Sequence, residues 1–385
     1  MTSGRLSGIL PFPGSADPSL SATSTSREDI VAWLQLTLVP DVSVGDQLAL
    51  LRAYGTPVAV LAAPSAQIAA RVGEGCAARL LKGPSPKAID AALKWLGEPN
   101  HHFVSLGDEA YPKSLLHIAV PPCVLYVQGR TELLNAPSFA IVGSRNASLQ
   151  GTRDAESFAH ALSSAGLTIV SGLALGIDAA AHRGGLRAAA SSVAVMGTGA
   201  DRIYPRRNHA LAHELATVGT LVSEFALGTQ PAPKNFPRRN RLISGLARGV
   251  LVAEAAVKSG SLITAQYAVE QGRDVFAIPG SIHSPLSKGC HELIKEGAKL
   301  VESADDILAE MGWRTGTEPS APAAPIETRD DPFLDAMGHS PVSIDQIAQR
   351  TGRGAGWIAA RLSLLEIEGA VAALAGGFFQ RLLKL

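Results

Sequence analysis

Three observations in the central part of the chain predict an α/β fold with a parallel sheet covered by helices on both faces. Short β-branched runs recur there, each run is followed by a stretch of helical spacing, and several helical stretches close on glycine. The runs are Phe139 to Val142, Thr168 to Val170, Val193 to Met196, Thr220 to Val222, Val250 to Ala253 and Val275 to Ile278. The helical stretches between them are Thr152 to Ala165, Ile177 to Ala190, Arg207 to Ala216, Arg238 to Ala247 and Ser261 to Gln271. Alternation of this kind calls for right-handed crossovers, and such sheets bind ligands where loops leave the carboxyl ends of the strands.

The flanks differ in composition. Residues 1–26 are rich in Ser, Thr, Gly and Pro without apolar periodicity and are expected to be a disordered tail. Over residues 27–98, Ile30, Trp33, Leu34, Leu48, Leu51, Val60 and Leu61 recur at helical spacing with breaks at Pro40, Gly55 to Pro57 and Pro64, the pattern of a small bundle of short helices. The α/β region is assigned to residues 99–314. A Pro- and Ala-rich linker over 315–328 then separates a C-terminal module, 329–385.

With 385 residues, 46% of them hydrophobic and 18% charged, the chain has material for two or three folded domains. Thirty-four basic residues balance thirty-four acidic ones, so any polyanion site must be a local patch. Cys76, Cys123 and Cys290 form no CxxC pair, which fits a reducing cytoplasm and offers no structural zinc site. No uncharged apolar run reaches the ~18 residues of a membrane helix, so no membrane association is expected.

Three glycine-bearing loops follow successive strands. The first is Gly143-Ser144-Arg145-Asn146-Ala147-Ser148, where Gly143 permits close backbone approach, Ser144 and the next N–H groups can donate to an oxyanion, and Arg145 offers a fork for phosphate. The others are Ser171 to Gly176, with Gly172, and Gly197 to Asp201, with Gly197 and Gly199. Such turns also arise for packing alone. Neither GxGxxG nor GxxxxGK[ST] is present, which disfavours a dinucleotide dehydrogenase and a P-loop NTPase.

The strongest chemical signal is Lys234-Asn235-Phe236-Pro237-Arg238-Arg239-Asn240-Arg241. From Asp201 to Arg248 eight basic residues stand against three acids, so the neutral chain concentrates positive charge here. A ring among cations suits single-stranded nucleic acid, with cations on phosphates and the ring against a base. The alternative is a solvated helix face with Phe236 as a packing anchor.

Catalytic and metal constellations mostly fail. His209 and His213 at i,i+4 lack a third ligand, and Asp178 and His182 read as an acid–base couple, a helix-surface hydrogen bond or support for the second loop. Glu254, at the end of its strand, is the one carboxylate well placed near the groove.

Together, FAIVGSR, IVSGLALGIDAAAH, GTGADRIYPRRN, FPRRNRLISGLARGVLVAEAAVKSGSLITAQYAVEQGRDVFAIPG and GCHELIKEGA closely resemble the DNA-processing family DprA, also called Smf, over about Phe139 to Leu308. YPKSLLHIAVPPCVLYVQG looks like the lead-in to that family's main domain. The resemblance implies a Rossmann-like, doubly wound, mostly parallel sheet preceded by a SAM-like helical domain and followed by a winged-helix-like module. It also implies a protein without catalytic activity or cofactor that binds and protects single-stranded DNA, loads the recombinase RecA in natural transformation and forms a homodimer. Carried over by motif, the DNA-binding residues are Gly143, Ser144, Arg145, Gly172, Gly197, Gly199, Asn208, Lys234, Phe236, Arg238, Arg239, Asn240 and Arg241.

In the N-terminal part, VPDVSVGDQLALLRAYG looks like a degenerate helix-hairpin-helix in which Gly45 alone stands for the usual Gly-x-Gly nest, so it is not expected to bind DNA independently. The C-terminal module has a helix-turn-helix and wing pattern with Ile344, Ile347, Ile358, Leu362 and Leu365 as its expected core. Its six basic and six acidic residues favour protein docking over duplex reading. An enzyme reading resembles the nucleotide phosphoribohydrolases of the LOG type, but Tyr267 stands where their catalytic glutamate is needed. A nucleotide-sensing scaffold is a third reading.

Overall fold

The computed structural model describes residues 26–313 and 331–382. The expected linker, and all of the expected tail but Ser26, lie outside the described residues. The described residues fall into two compact units: those up to Ile89 with Gly107–Glu109, and Asp90–Leu106 with Ala110 onward.

The first unit is helical. Arg27–Thr37 and Val44–Tyr54 each start in a capping box, Ser26 with Asp29 and Ser43 with Asp46, in which hydroxyl and carboxylate satisfy each other's backbone N–H groups. Pro57 then opens Pro57–Ala62 at a position where a missing N–H costs nothing, and Ser65–Val72 and Glu74–Lys82 follow. Trp33, Leu34, Leu48, Leu51 and Val60 are buried, while Ile30 and Leu61 are half-buried. Gly45 lies in the first turn of a helix, so no hairpin nest forms around it.

The second unit contains a nine-stranded sheet. Its strands are β1 (His101–Ser105), β2 (Val124–Gly129), β3 (Ser138–Val142), β4 (Thr168–Ser171), β5 (Ser192–Val195), β6 (Thr220–Ser223), β7 (Gly249–Val252), β8 (Asp274–Ala277) and β9 (Lys299–Leu300), in the order β1-β2-β6-β5-β4-β3-β7-β8-β9. β3 to β9 run parallel, and β2 and β1 add an antiparallel edge. Each of the six expected β-branched runs forms a strand, within a residue or two of its expected ends.

Side-chain alternation sends β3 to both cores: Ala140 and Val142 pack with Leu242, Ile243 and Leu246, whereas Phe139 and Ile141 pack with Phe158, Leu162 and Ile177. The small residues Ala155, Ala159, Ala180 and Ala181 share that second layer, which is where the Ala-rich composition is used. From β3 the chain winds outward through β4, β5 and β6, then returns to place β7 on the other side of β3. The strand order therefore reverses between β3 and β7, the position at which open α/β sheets form a crevice.

The C-terminal residues form helices Pro332–Met337, Ile344–Thr351 and Ala355–Ile367 with a small sheet of β10 (Val342–Ser343), β11 (Val371–Leu374) and β12 (Phe378–Arg381) in the order β10-β12-β11. This is a winged helix. Ile347, Ile358, Leu362 and Leu365 are in its core, and Ile344 packs half-buried against it.

Candidate nucleic-acid interface

The loop after β3 is held from beneath by Glu254, just past β7. Ser144 N–H donates to the Glu254 carbonyl at 2.7 Å, and the Glu254 carboxylate accepts from Ser148 N–H (2.9 Å) and Ser148 Oγ (2.5 Å). This carboxylate, the one that stood near the groove in the sequence, is committed to shaping the first loop. Gly176 fixes the loop's other side: its φ of 73° suits glycine, and a Cβ there would strike the Ser144 and Arg145 carbonyls. The result leaves Arg145 and Asn146 exposed.

The second loop rests on buried polar groups. The Asp178 carboxylate accepts from the N–H groups of Gly172 (3.2 Å) and Ala174 (3.3 Å). His182 Nε2 accepts from Leu173 N–H at 3.2 Å, which puts the proton on Nδ1 for donation to Ser192 Oγ at 2.7 Å. Burial drives the imidazole down to about 3 and raises the Asp178 carboxyl, the latter opposed by the positive Arg239. These two residues are loop supports, as one of the sequence readings had it, and they lie inside the protein rather than on a helix surface. Asn208 Nδ2 donates to the Leu173 and Ala174 carbonyls, tying the same loop to the turn before the helix His209–Val218.

The basic stretch lies on the helix Asn235–Leu246, and helical periodicity divides it. Lys234 and Arg238 are exposed, Phe236 and Arg241 are half-buried, and Asn235, Arg239 and Asn240 are buried. The Arg239 guanidinium donates to the carbonyls of Gly172 and Val195 and to Asn240 Oδ1, and burial lowers its pKa to about 10, still a cation at neutral pH. Arg241 donates to the Val120 carbonyl and to Glu224, whose other oxygen accepts from Arg238 Nε at 3.0 Å. Arg238 also lies 5.0 Å over the Phe225 ring.

Phe236 joins the loops. A Cβ on Gly197 would come 2.8 Å from its ring, so the glycine is the seat on which the ring lies. Arg145 stands 5.3 Å from the ring centroid, and Tyr204 packs at 5.8 Å with the planes 38° apart. Tyr204 is 45% exposed, and Arg202, Arg206 and Arg207 beside it are exposed. None of these four is among the thirteen candidate DNA-binding residues, although they share the charge-rich interval with Phe236.

Of the thirteen candidate residues, Gly172, Gly197 and Gly199 are buried, and Gly143 and Ser144 are half-buried. The second and third glycine loops are therefore backed by Arg239 and Phe236, and the exposed surface is one of cations and rings. His209 and His213 touch edge-on at 4.5 Å, and no cluster of three potential metal ligands occurs among the described residues.

The model for DNA recombination-mediator protein A matches residues 102–312. The chain belongs to the DprA family. Its winged helix agrees with a second match, to the DprA winged helix domain over residues 317–377. Protein Smf of Escherichia coli (strain K12) is 43% identical over 311 residues, covering 78% of this chain and 83% of that one. The X-ray structure of DprA from Streptococcus pneumoniae aligns with a TM-score of 0.64 at 40% identity, over 73% of this chain and 96% of the other. DNA processing protein A from Helicobacter pylori, whose structure is described for a unique single-stranded DNA binding mode, aligns with a TM-score of 0.50 at 30% identity, over 55% of this chain and 95% of that one. All three glycine loops and the basic helix of this DprA-family chain fall inside the matched region.

Proposed function

We propose that this chain binds single-stranded DNA on the face formed by Arg145, Lys234, Phe236 and Arg238, extended by Tyr204 and the arginines beside it. The observation that carries the reading is the Phe236 ring, seated on Gly197 beneath the Arg145 guanidinium with Tyr204 alongside and exposed cations around it. A half-exposed ring pair offers faces to unpaired bases, and the cations take the phosphates. Gly143 and Ser144 shape the first loop. Gly172, Gly197, Gly199, Asn208, Arg239, Asn240 and Arg241 hold the floor, so their effect on DNA is indirect.

The role is that of a binding protein rather than an enzyme. Glu254 has both carboxylate oxygens engaged by Ser148, and Tyr267 occupies the position where the hydrolase reading needs an acid. By family resemblance the reading extends to strand protection, delivery to RecA and a cytoplasmic homodimer. Among the described residues no helix is long and apolar enough to cross a membrane.

The test is a titration of single-stranded and duplex oligonucleotides of equal length across a salt series. A preference of at least tenfold for the single strand is expected, with a log–log slope of roughly −2 to −4 for three to six phosphates at about −0.7 each. Equal affinity for the two forms would reject the reading.

A further inference from the structure

Of the three acids in the charge-rich interval, Glu214 is exposed on its helix and Asp201 accepts from Gly228 N–H, but the Glu224 side chain is 1% exposed. A carboxylate within a surface for polyanions weakens the attraction that surface exerts, and burying it is costly unless it is paired. Glu224 follows β6 directly, so it is what the carboxyl end of that strand contributes to the site. The backbone there is fixed by Ser223, whose Oγ donates to the Thr198 carbonyl in the third loop at 2.6 Å and accepts from Phe225 N–H at 3.0 Å.

The two carboxylate oxygens serve two different arginines. Oε2 accepts from Arg241, whose side chain is 13% exposed and whose guanidinium also donates to the Val120 carbonyl. Oε1 accepts from Arg238 Nε at 3.0 Å, and the Arg238 side chain is 45% exposed. The buried Phe225 ring lies beneath the same guanidinium, 5.0 Å from Cζ to centroid. Nε–H is thus committed to Glu224 and one side of the group to Phe225. Among the described residues the two terminal nitrogens of Arg238 have no hydrogen-bond partner. Their N–H groups form the edge of a guanidinium that grips two oxygens of one phosphate.

We propose that Glu224 is a positioning residue of the single-strand interface. It holds Arg238 by Nε over Phe225, so that the terminal nitrogens form a two-pronged clamp on one phosphodiester of the strand, while Arg241 holds the other carboxylate oxygen. Glu224 acts in this way only if the face takes single-stranded DNA as proposed above.

The sign of the effect separates positioning from charge. Glu224→Gln leaves one acceptor oxygen for two donors; Arg241, with little access to water, keeps it, and the exposed Arg238 is released. Loss of a negative charge alone would strengthen DNA binding, whereas loss of the clamp weakens it. Fluorescence anisotropy of the full chain with a labelled oligo(dT) reads the difference. Glu224→Gln is expected to bind about fivefold more weakly than wild type. Glu224→Gln combined with Arg238→Ala should bind within about twofold of Arg238→Ala alone, because the carboxylate acts through that arginine. Arg238→Lys keeps the charge at an exposed position but loses both Nε and the fork, and a loss of about threefold is expected. Unchanged or tighter binding by Glu224→Gln at native melting temperature, or an equal loss from Glu224→Gln with and without Arg238, would overturn the assignment. Wild-type affinity in Arg238→Lys would overturn it as well, and that variant decides alone if Glu224→Gln melts well below wild type. Equal affinity of the wild type for oligo(dT) and for a duplex of the same length would instead overturn the face itself, and the clamp with it.

Discussion

Arg239 and Arg145 separate the structural from the DNA-facing part of the site. The Arg239 side chain is 4% exposed and donates to the Gly172 and Val195 carbonyls, beneath the second and third loops. Its removal in Arg239→Ala strands two buried carbonyls, at about 1–3 kcal/mol each, and takes a cation away from the buried Asp178. Breaking a buried charged arrangement of this kind costs about 3–5 kcal/mol, and in a domain of this size each kcal/mol lowers Tm by roughly 2–4 °C. A drop on the order of 10 °C is expected. Arg145 is exposed, and its ring contact with Phe236 is worth at most about 1 kcal/mol. Arg145→Ala should therefore melt within about 3 °C of wild type, yet bind single strands more weakly with a salt slope shallower by about 0.7. Thermal melting and fluorescence anisotropy with a labelled single strand read both quantities. An Arg239→Ala protein of native stability that loses one phosphate's worth of slope would refute this division and return Arg239 to the DNA.

Three further outcomes follow from the same geometry. Phe236→Ala should lose about 1–3 kcal/mol of single-strand affinity in the anisotropy titration with its slope unchanged, because stacking releases no counterions; an unchanged affinity in a stable protein would remove the ring from the interface. Burial holds the His182 imidazole at about 3 against an ordinary 6.5, so between those values the unfolded chain binds a proton that the folded chain does not. Stability from this group therefore rises with pH and is lost on acidification, by up to about 1.4 kcal/mol per pH unit. The raised Asp178 carboxyl acts in the opposite sense above 3.8. Comparison with His182→Gln isolates the imidazole: wild type should lose Tm more steeply from pH 6.5 to 4.5, and parallel curves would contradict the assignment. A chain truncated after Gly316 should keep most of its single-strand affinity by gel shift, since the interface residues all lie between Arg145 and Arg241; loss of binding with the fold intact would show that the winged helix takes part.

Six of the parallel strands were legible because each is a short β-branched run set between helical periods. β1, β2 and the two-residue β9 were not: Val124–Gly129 alternates weakly, and its antiparallel pairing with β6 depends on contacts nearly a hundred residues away. In the basic stretch the charge was plain and its direction was not. The sequence reading began the helix at Arg238. Its actual start at Asn235 sets Asn235, Arg239, Leu242 and Leu246 on one inward face, so the same residues that signal a phosphate site also supply a buried scaffold. Tyr204 escaped notice because nothing local in GADRIYPRRN says that its ring meets one 32 positions later; the Phe236–Tyr204 pair is a product of the fold.

Photocrosslinking of a bromouracil-substituted single strand to the full chain, followed by peptide mass spectrometry, tests the central claim most directly. Adducts are expected on the peptides carrying Tyr204 and Phe236, to be lost when excess unmodified single strand competes and retained when duplex does. Adducts confined to the N-terminal helices or the winged helix, with none on those two peptides, would contradict it.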